Sequence, residues 1–333
     1  MAKSSKRHHY LPQFYLKNFT CEDGLLCLFD RETKTFRRQQ PLNTALEKDF
    51  YAVTDKQGVK TDRIEQLISG LESGARDIIH RLDNRIPGWK DHEERAAFAL
   101  FLALFRTRTP AFDKEQTALA EHLYRAMNRA NHPSPEATAQ GFKEFAEATG
   151  EDVSGIDAQQ VFQIVRDDAY EVDVPRTYII RLMLDSTLHL AEVLMTLDWT
   201  FVRAPRDLEF ITSDAPFMTA PPPGESDSRA YGVRTPGAMT TIPLSPSVCV
   251  VIAGEGGNDR YGHMRKDAVR RVNSNVAQNS DRFIIGRNQT FLERLVNRTR
   301  TDLYRWTSRF EFNEVEIDGE MVLHAKQTLP RVP

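Results

Sequence analysis

Two adjacent imidazoles, an amide and two phenols fall within eight residues in the run His8-His9-Tyr10-Leu11-Pro12-Gln13-Phe14-Tyr15. Imidazole binds metals and transfers protons near neutral pH, and amides and phenols orient such groups through hydrogen bonds. The composition points to His8 and His9 as ligands of a divalent metal, with a distant carboxylate completing the shell and a metal-bound hydroxide as nucleophile. Asp214 is the candidate carboxylate. It follows the apolar Phe210-Ile211-Thr212 and precedes Pro216, which predicts a strand end, where sheets commonly present site residues. Gln13 and Tyr15 are the candidate orienting groups. The structural alternative is a His-His-Tyr-x-Pro turn that staples the N-terminus by hydrogen bonds, with Asp214 bonded to its own loop.

The run is similar to the opening of a large, mostly bacterial family of unknown function, whose members begin close to H-H-Y-x-P-Q-F-Y-L-x-x-F. The likeness continues at Lys48-Asp49-Phe50-Tyr51, Arg106-Thr107-Arg108-Thr109-Pro110, Phe210 to Pro216 and Pro243-Leu244-Ser245-Pro246, so it spans most of the chain. It carries no activity over to this sequence.

Other residues could serve chemistry. Asp185, His189 and Glu192 stand at i, i+4 and i+7 and share a helical face, an acceptable metal-ligand spacing beside the commoner core network. Arg125 and His132 match the loose Arg-x(4-6)-His spacing of helical HEPN-type ribonucleases. Arg294, Arg298 and Arg305 line one side of the last helix expected from the pattern, opposite Phe291, Leu292, Leu295 and Val296, and a guanidinium stripe suits phosphate. Arg106 and Arg108, at the exit of an apolar helix, suit an anion clamp or the helix C-terminus. Net charge is -3, but residues 260–306 hold eleven Lys/Arg against four Asp/Glu. That basic segment is the candidate nucleic-acid contact.

The elements that must position these groups follow from periodicity and turn chemistry. Strands over residues 24–29 and 34–38, joined by a polar turn, predict a hairpin. Helices are expected from Asp62 to about Leu82, from Asp91 to about Arg106, from Pro110 to about Asn131, within 134–148, over 161–165 and after Pro175. Short β-branched and aromatic runs at 199–202, 208–212, 239–242 and 248–253 then give strands. Helices at 266–279 and 290–305 enclose a strand at 283–286, and a hairpin closes about Asp318-Gly319. The expected fold is α+β: a mixed sheet from N-terminal and C-terminal strands with a large helical insertion. Three segments result, 1–60, 61–197 and 198–333, the first and last forming one composite domain.

The longest apolar run, Ala96 to Phe105, is too short to span a bilayer, and no apolar segment follows the basic N-terminus, so no export or membrane insertion is expected. Three cysteines without C-x-x-C spacing fit free thiols in a cytoplasm. Gly254-Glu255-Gly256-Gly257 lacks the helix and Lys of a phosphate loop. These readings lead to an expected intracellular metal-assisted hydrolase, a nuclease on DNA or RNA. The rival is a non-enzymatic nucleic-acid- or protein-binding sensor with a structural His-rich clasp.

Overall fold

The computed structural model describes residues 7–54, 60–61, 63–86, 88–225 and 231–301. Residues 305–306, 309–317, 320–328 and 331–332 are described as backbone, as are 53–54, 60–61 and 63. The chain opens with β1 (Arg7–His9), α1 (Gln13–Lys17), β2 (Leu26–Asp30), β3 (Thr35–Gln39), β4 (Leu46–Lys48), β5 (Val53–Thr54) and β6 (Lys60–Thr61). Helices follow: α2 (Arg63–Asp83), α3 (His92–Thr107), α4 (Pro110–Asn131), α5 (Pro135–Thr149), α6 (Ala158–Arg166) and α7 (Arg176–Thr196). The last part holds β7 (Leu197–Arg203), β8 (Thr212–Ser213), β9 (Met218–Ala220), β10 (Met239–Pro243), β11 (Val248–Glu255), β12 (Asp259–His263), α8 (Lys266–Asn279), β13 (Phe283–Gly286) and α9 (Gln289–Thr299). It ends with β14 (Arg305–Trp306), β15 (Arg309–Ile317), β16 (Glu320–Thr328) and β17 (Arg331–Val332).

The fold is α+β, and N-terminal and C-terminal strands do share a sheet. In the four-stranded order β3-β2-β13-β8 every pairing is antiparallel, with Leu28 opposite Ile285. A second sheet has the order β12-β7-β11-β10-β9, in which β12 runs parallel to β7. The hairpin turn between β2 and β3 is organised by Asp30, whose buried carboxylate accepts the Glu32 and Thr33 N–H groups and pairs with Arg37 (2.8 Å) and Arg282 (3.0 Å). Burial alone would raise the Asp30 carboxyl, but the Arg282 hydrogen bond and charge, with the turn amides, hold it below the usual carboxylate range.

The chain forms two compact units, one of residues up to Asp113 with those from Ile180 onward, the other Lys114–Ile179. The first unit carries the sheets, α2, α3 and most of α7, and the second carries most of α4 with α5 and α6. α3 starts as expected, with the Asp91 side chain accepting the Glu94 N–H at 2.7 Å, and it buries Phe98, Phe101, Leu102 and Phe105. β7 follows α7 with no connecting residue. There Trp199 is buried, donates its indole N–H to Leu194 O at 2.9 Å and lies 4.4 Å beneath the Arg95 guanidinium. In the second unit, α5 and α6 pack on each other, each capped by a side chain, Ser134 or Asp157.

Two expected elements differ. The strand expected at 208–212 shortens to Thr212–Ser213 because the Phe210 N–H goes to Pro246 O and the Ile211 N–H to the Asn273 side chain, not to a ladder. The last expected helix ends at Thr299, where Arg300 takes a left-handed φ of 55°, a terminus made here without glycine. Arg305 therefore stands in β14, off the helix of Arg294 and Arg298, and its side chain lies outside the described residues. The expected cap at Asp62 and the turn at Asp318-Gly319 also lie outside them. Among the described residues no helix is long and apolar enough to cross a membrane.

Candidate active-site cleft

A polar cleft of about 870 Å³ lies between α1 and α2. Gln13, Phe14, Lys17 and Asn18 form one wall; the other is a stripe on α2, where Glu65, Ser69, Glu72, Arg76, His80 and Asp83 recur every three or four residues. The apolar side of α2, including Ile68, Ala75, Ile78 and Ile79, is buried in the core. At about 1.5 Å rise per residue, the stripe from Glu65 to Asp83 runs roughly 27 Å, so the cleft is a groove rather than a pit. His9, Tyr51 and Arg108 complete the lining.

His9 and His80 both line this groove, and His9 is the half-buried one of the two. Its Nε2 lies 3.1 Å from Leu42 O, so Nε2 carries the proton and Nδ1 keeps the lone pair. Burial lowers the His9 pKa below the ordinary histidine value, and the Arg108 and Arg7 charges act in the same direction against the Leu42 hydrogen bond. His9 is thus a neutral acceptor of protons near pH 7. Two cations face the same space: Lys17 and Arg76 make no ion pair among the described residues, and Arg76 is steadied 5.2 Å over the Phe14 ring. Gln13 also lines the groove.

His8 is a different kind of residue. It is 1 % exposed, stacks on Tyr51 at 5.5 Å, and its Nδ1 accepts the Tyr51 N–H at 2.8 Å. The proton is therefore on Nε2, which has no hydrogen-bond partner among the described residues and points toward Glu65 Oε2 at 3.5 Å. Arg108, 2 % exposed, donates to Glu72 (2.7 Å), to the Tyr51 hydroxyl (3.2 Å) and to His9 O (2.5 Å), which ties α3 to α2 and to the N-terminal run. Its guanidinium is committed and is not a clamp for an outside phosphate. Arg106 lies 5.5 Å over the Phe112 ring, not in the groove.

The proposed metal trio does not assemble. Asp214 is buried at the end of β8 as the pattern predicts, but its carboxylate accepts the N–H groups of Asp281 (3.0 Å), Arg282 (2.6 Å) and Phe283 (3.0 Å) and is absent from the groove. Burial, with the neighbouring Asp281 charge, raises its pKa to about 7 against those three donors. With His8 Nδ1 and His9 Nε2 also engaged, the donors do not fit a metal ion, and among the described residues no three His, Cys, Asp or Glu side chains form such a group. Tyr15 is core: its hydroxyl donates to Pro243 O (2.8 Å) and meets Thr212 Oγ1 (2.5 Å). Asp185, His189 and Glu192 line an exposed face of α7, where Asp185 pairs with Arg181. Arg125 donates to the Asp168 and Tyr170 carbonyls, and His132 faces the Thr138 hydroxyl.

Residues 7–290 match the model of a family described as a protein of unknown function, DUF4238. The chain belongs to that family. The matched span takes in every residue of the groove, so the groove belongs to the family's own domain. No curated protein and no solved structure matches the chain. Sequence reasoning missed Lys17, Glu65, Arg76 and His80; the signal available was the polar stripe of α2 facing the Gln13/Lys17 side of α1.

Proposed function

We propose that the groove is the active site of a cytoplasmic nuclease that cleaves single-stranded RNA without a resident metal, with His9 as general base. The observation that carries this reading is the neutral His9, fixed by Leu42 O, in a groove that also holds Lys17 and Arg76, which make no ion pair among the described residues. The groove's length suits an extended strand. RNA is favoured because its 2′-hydroxyl supplies the nucleophile: His9 Nδ1 takes the 2′-hydroxyl proton, the 2′ oxygen attacks phosphorus, and the 5′ oxygen leaves and is protonated by solvent. Products are a 2′,3′-cyclic phosphate and a 5′-hydroxyl. Lys17 and Arg76 face the charge that builds on the phosphoryl oxygens. The exposed Arg294 and Arg298 of α9 would hold flanking phosphates.

The test is a labelled RNA oligomer incubated with the full chain in excess EDTA. Cleavage should persist, fail on the all-deoxy oligomer, and fall by about 10²-fold or more in His9→Gln, which keeps a donor for Leu42 O but has no base. Activity lost on chelation, or undiminished in His9→Gln, sinks the proposal. A second reading, a non-enzymatic nucleic-acid-binding protein, is favoured by the commitment of His8 and Arg108 to structure. Its signature is RNA bound, lost in Lys17→Ala/Arg76→Ala, and recovered intact.

A further inference from the structure

The sulfur atoms of Cys21 and Cys27 lie 3.0 Å apart, about 1 Å beyond a disulfide bond. A short turn puts them there: the Cys21 N–H donates to Leu25 O (2.7 Å), the Gly24 N–H to Cys21 O (3.0 Å), and Thr20 bridges Leu26. Gly24 takes a φ of 76°, which the turn requires and most side chains resist. Both thiols also face Arg287 O, at 2.9 Å from Cys21 and 3.8 Å from Cys27. Exposure separates their roles, since Cys21 is half-buried and Cys27, in the central strand β2, is buried. The third thiol, Cys249, is fully buried and makes its hydrogen bond to Val250 O.

We propose that Cys21 and Cys27 are a redox-active dithiol, converted to an intramolecular disulfide by a low-molecular-weight disulfide. The accessible Cys21, as thiolate, attacks one sulfur of the oxidant, forming a mixed disulfide and releasing the first thiolate. Cys27 then attacks the Cys21 sulfur, its proton passing to the second departing thiolate. Two cysteine thiols are oxidised and one disulfide is reduced to two thiols. The order follows from access and from burial, which with the hydrogen bond to Cys21 pushes the Cys27 thiol up to about 11. Cys21 stands three residues beyond Asn18, so the bond would tie the segment that follows the α1 wall of the groove to β2. In a reducing compartment such a pair reports oxidation and is reset by thiols.

The reduced full-length protein is incubated with glutathione disulfide, alkylated under denaturing conditions and digested with trypsin without reduction. The peptide Asn18–Arg31 carries both cysteines. It should appear unalkylated and about 2 Da lighter than the dithiol form, while Cys249 is alkylated, and dithiothreitol should restore two alkylated sites. A peptide alkylated at both cysteines, or one that holds a stable glutathione adduct of about 305 Da on Cys21, overturns the proposal.

Discussion

His8 Nδ1 accepts the Tyr51 backbone N–H at 2.8 Å, a bond that spends the ring's only lone pair on holding two chain segments together. Replacing His8 with Ala leaves that buried N–H without an acceptor, and a loss of about 1–3 kcal/mol in urea unfolding is expected. His8→Asn, which can present an oxygen near Nδ1, should recover part of it. Stability unchanged in His8→Ala would show that Tyr51 N–H finds another acceptor.

Arg108 offers a stronger case because one buried guanidinium serves Glu72, the Tyr51 hydroxyl and His9 O. Arg108→Met should cost about 3–5 kcal/mol, since it strands a partly buried carboxylate and a partly buried carbonyl. Arg108→Lys should rescue little, because an ammonium cannot reach three acceptors in the plane of a fork. Adding Glu72→Gln to Arg108→Met should regain part of the loss; a double variant no more stable than the single would mean that the ion pair is not the main element.

The pH dependence of Asp214 can be signed. Its folded pKa, about 7, lies above the unfolded value near 4, so the stability it contributes is full below about pH 4 and is lost as pH rises through about 7. Relative to Asp214→Asn, the wild type should therefore lose stability by a few kcal/mol, order of magnitude, between those limits and then level off. Unfolding curves at intervals across that range check it. A difference of the opposite sense would mean that the three backbone donors outweigh burial.

For the proposed reaction, the acid limb of kcat/KM for RNA reports His9 in the free enzyme. Burial and the Arg108 and Arg7 charges lower its pKa, so the midpoint of the limb should lie below the ordinary histidine value of about 6.5. Arg7→Gln should move the limb upward. An unshifted limb in that variant would indicate that the Arg7 charge does not reach His9, leaving burial and Arg108 to set the value.

On α9, Arg294→Gln/Arg298→Gln should flatten the log-log salt dependence of RNA binding by roughly one to two units and leave the fold intact. Among the described residues Arg298 donates to the Ser274 hydroxyl, at 3.2 Å, and both arginines are exposed. An unchanged slope returns them to the solvated surface.

Much of the fold could be read from short-range pattern. Asp91 and Glu94 announce the start of α3, and the polar turn of Asp30 to Thr33 announces the β2–β3 hairpin, because the determining hydrogen bonds close within a few residues. The groove was only half legible. His9, Gln13 and Arg108 attract notice by type, whereas the α2 stripe of Glu65, Glu72 and Arg76 resembles any solvent-facing helix side until α1 lies across from it. Asp214 shows the same limit in reverse: its place at a strand end follows from Phe210-Ile211-Thr212, but its three donors come from residues 281–283, and no local pattern announces them.

The pairing of Leu28 with Ile285 also sets a schedule for synthesis. On the ribosome, about 250 residues separate β2 from the strand that covers its far side, which at 5–20 residues per second is a wait of roughly ten to fifty seconds. Throughout that interval the apolar β2 presents an open edge, the kind of surface on which nascent chains aggregate and chaperones act. Truncated translation products ending before Phe283 should accordingly be the form of this protein most dependent on holdases.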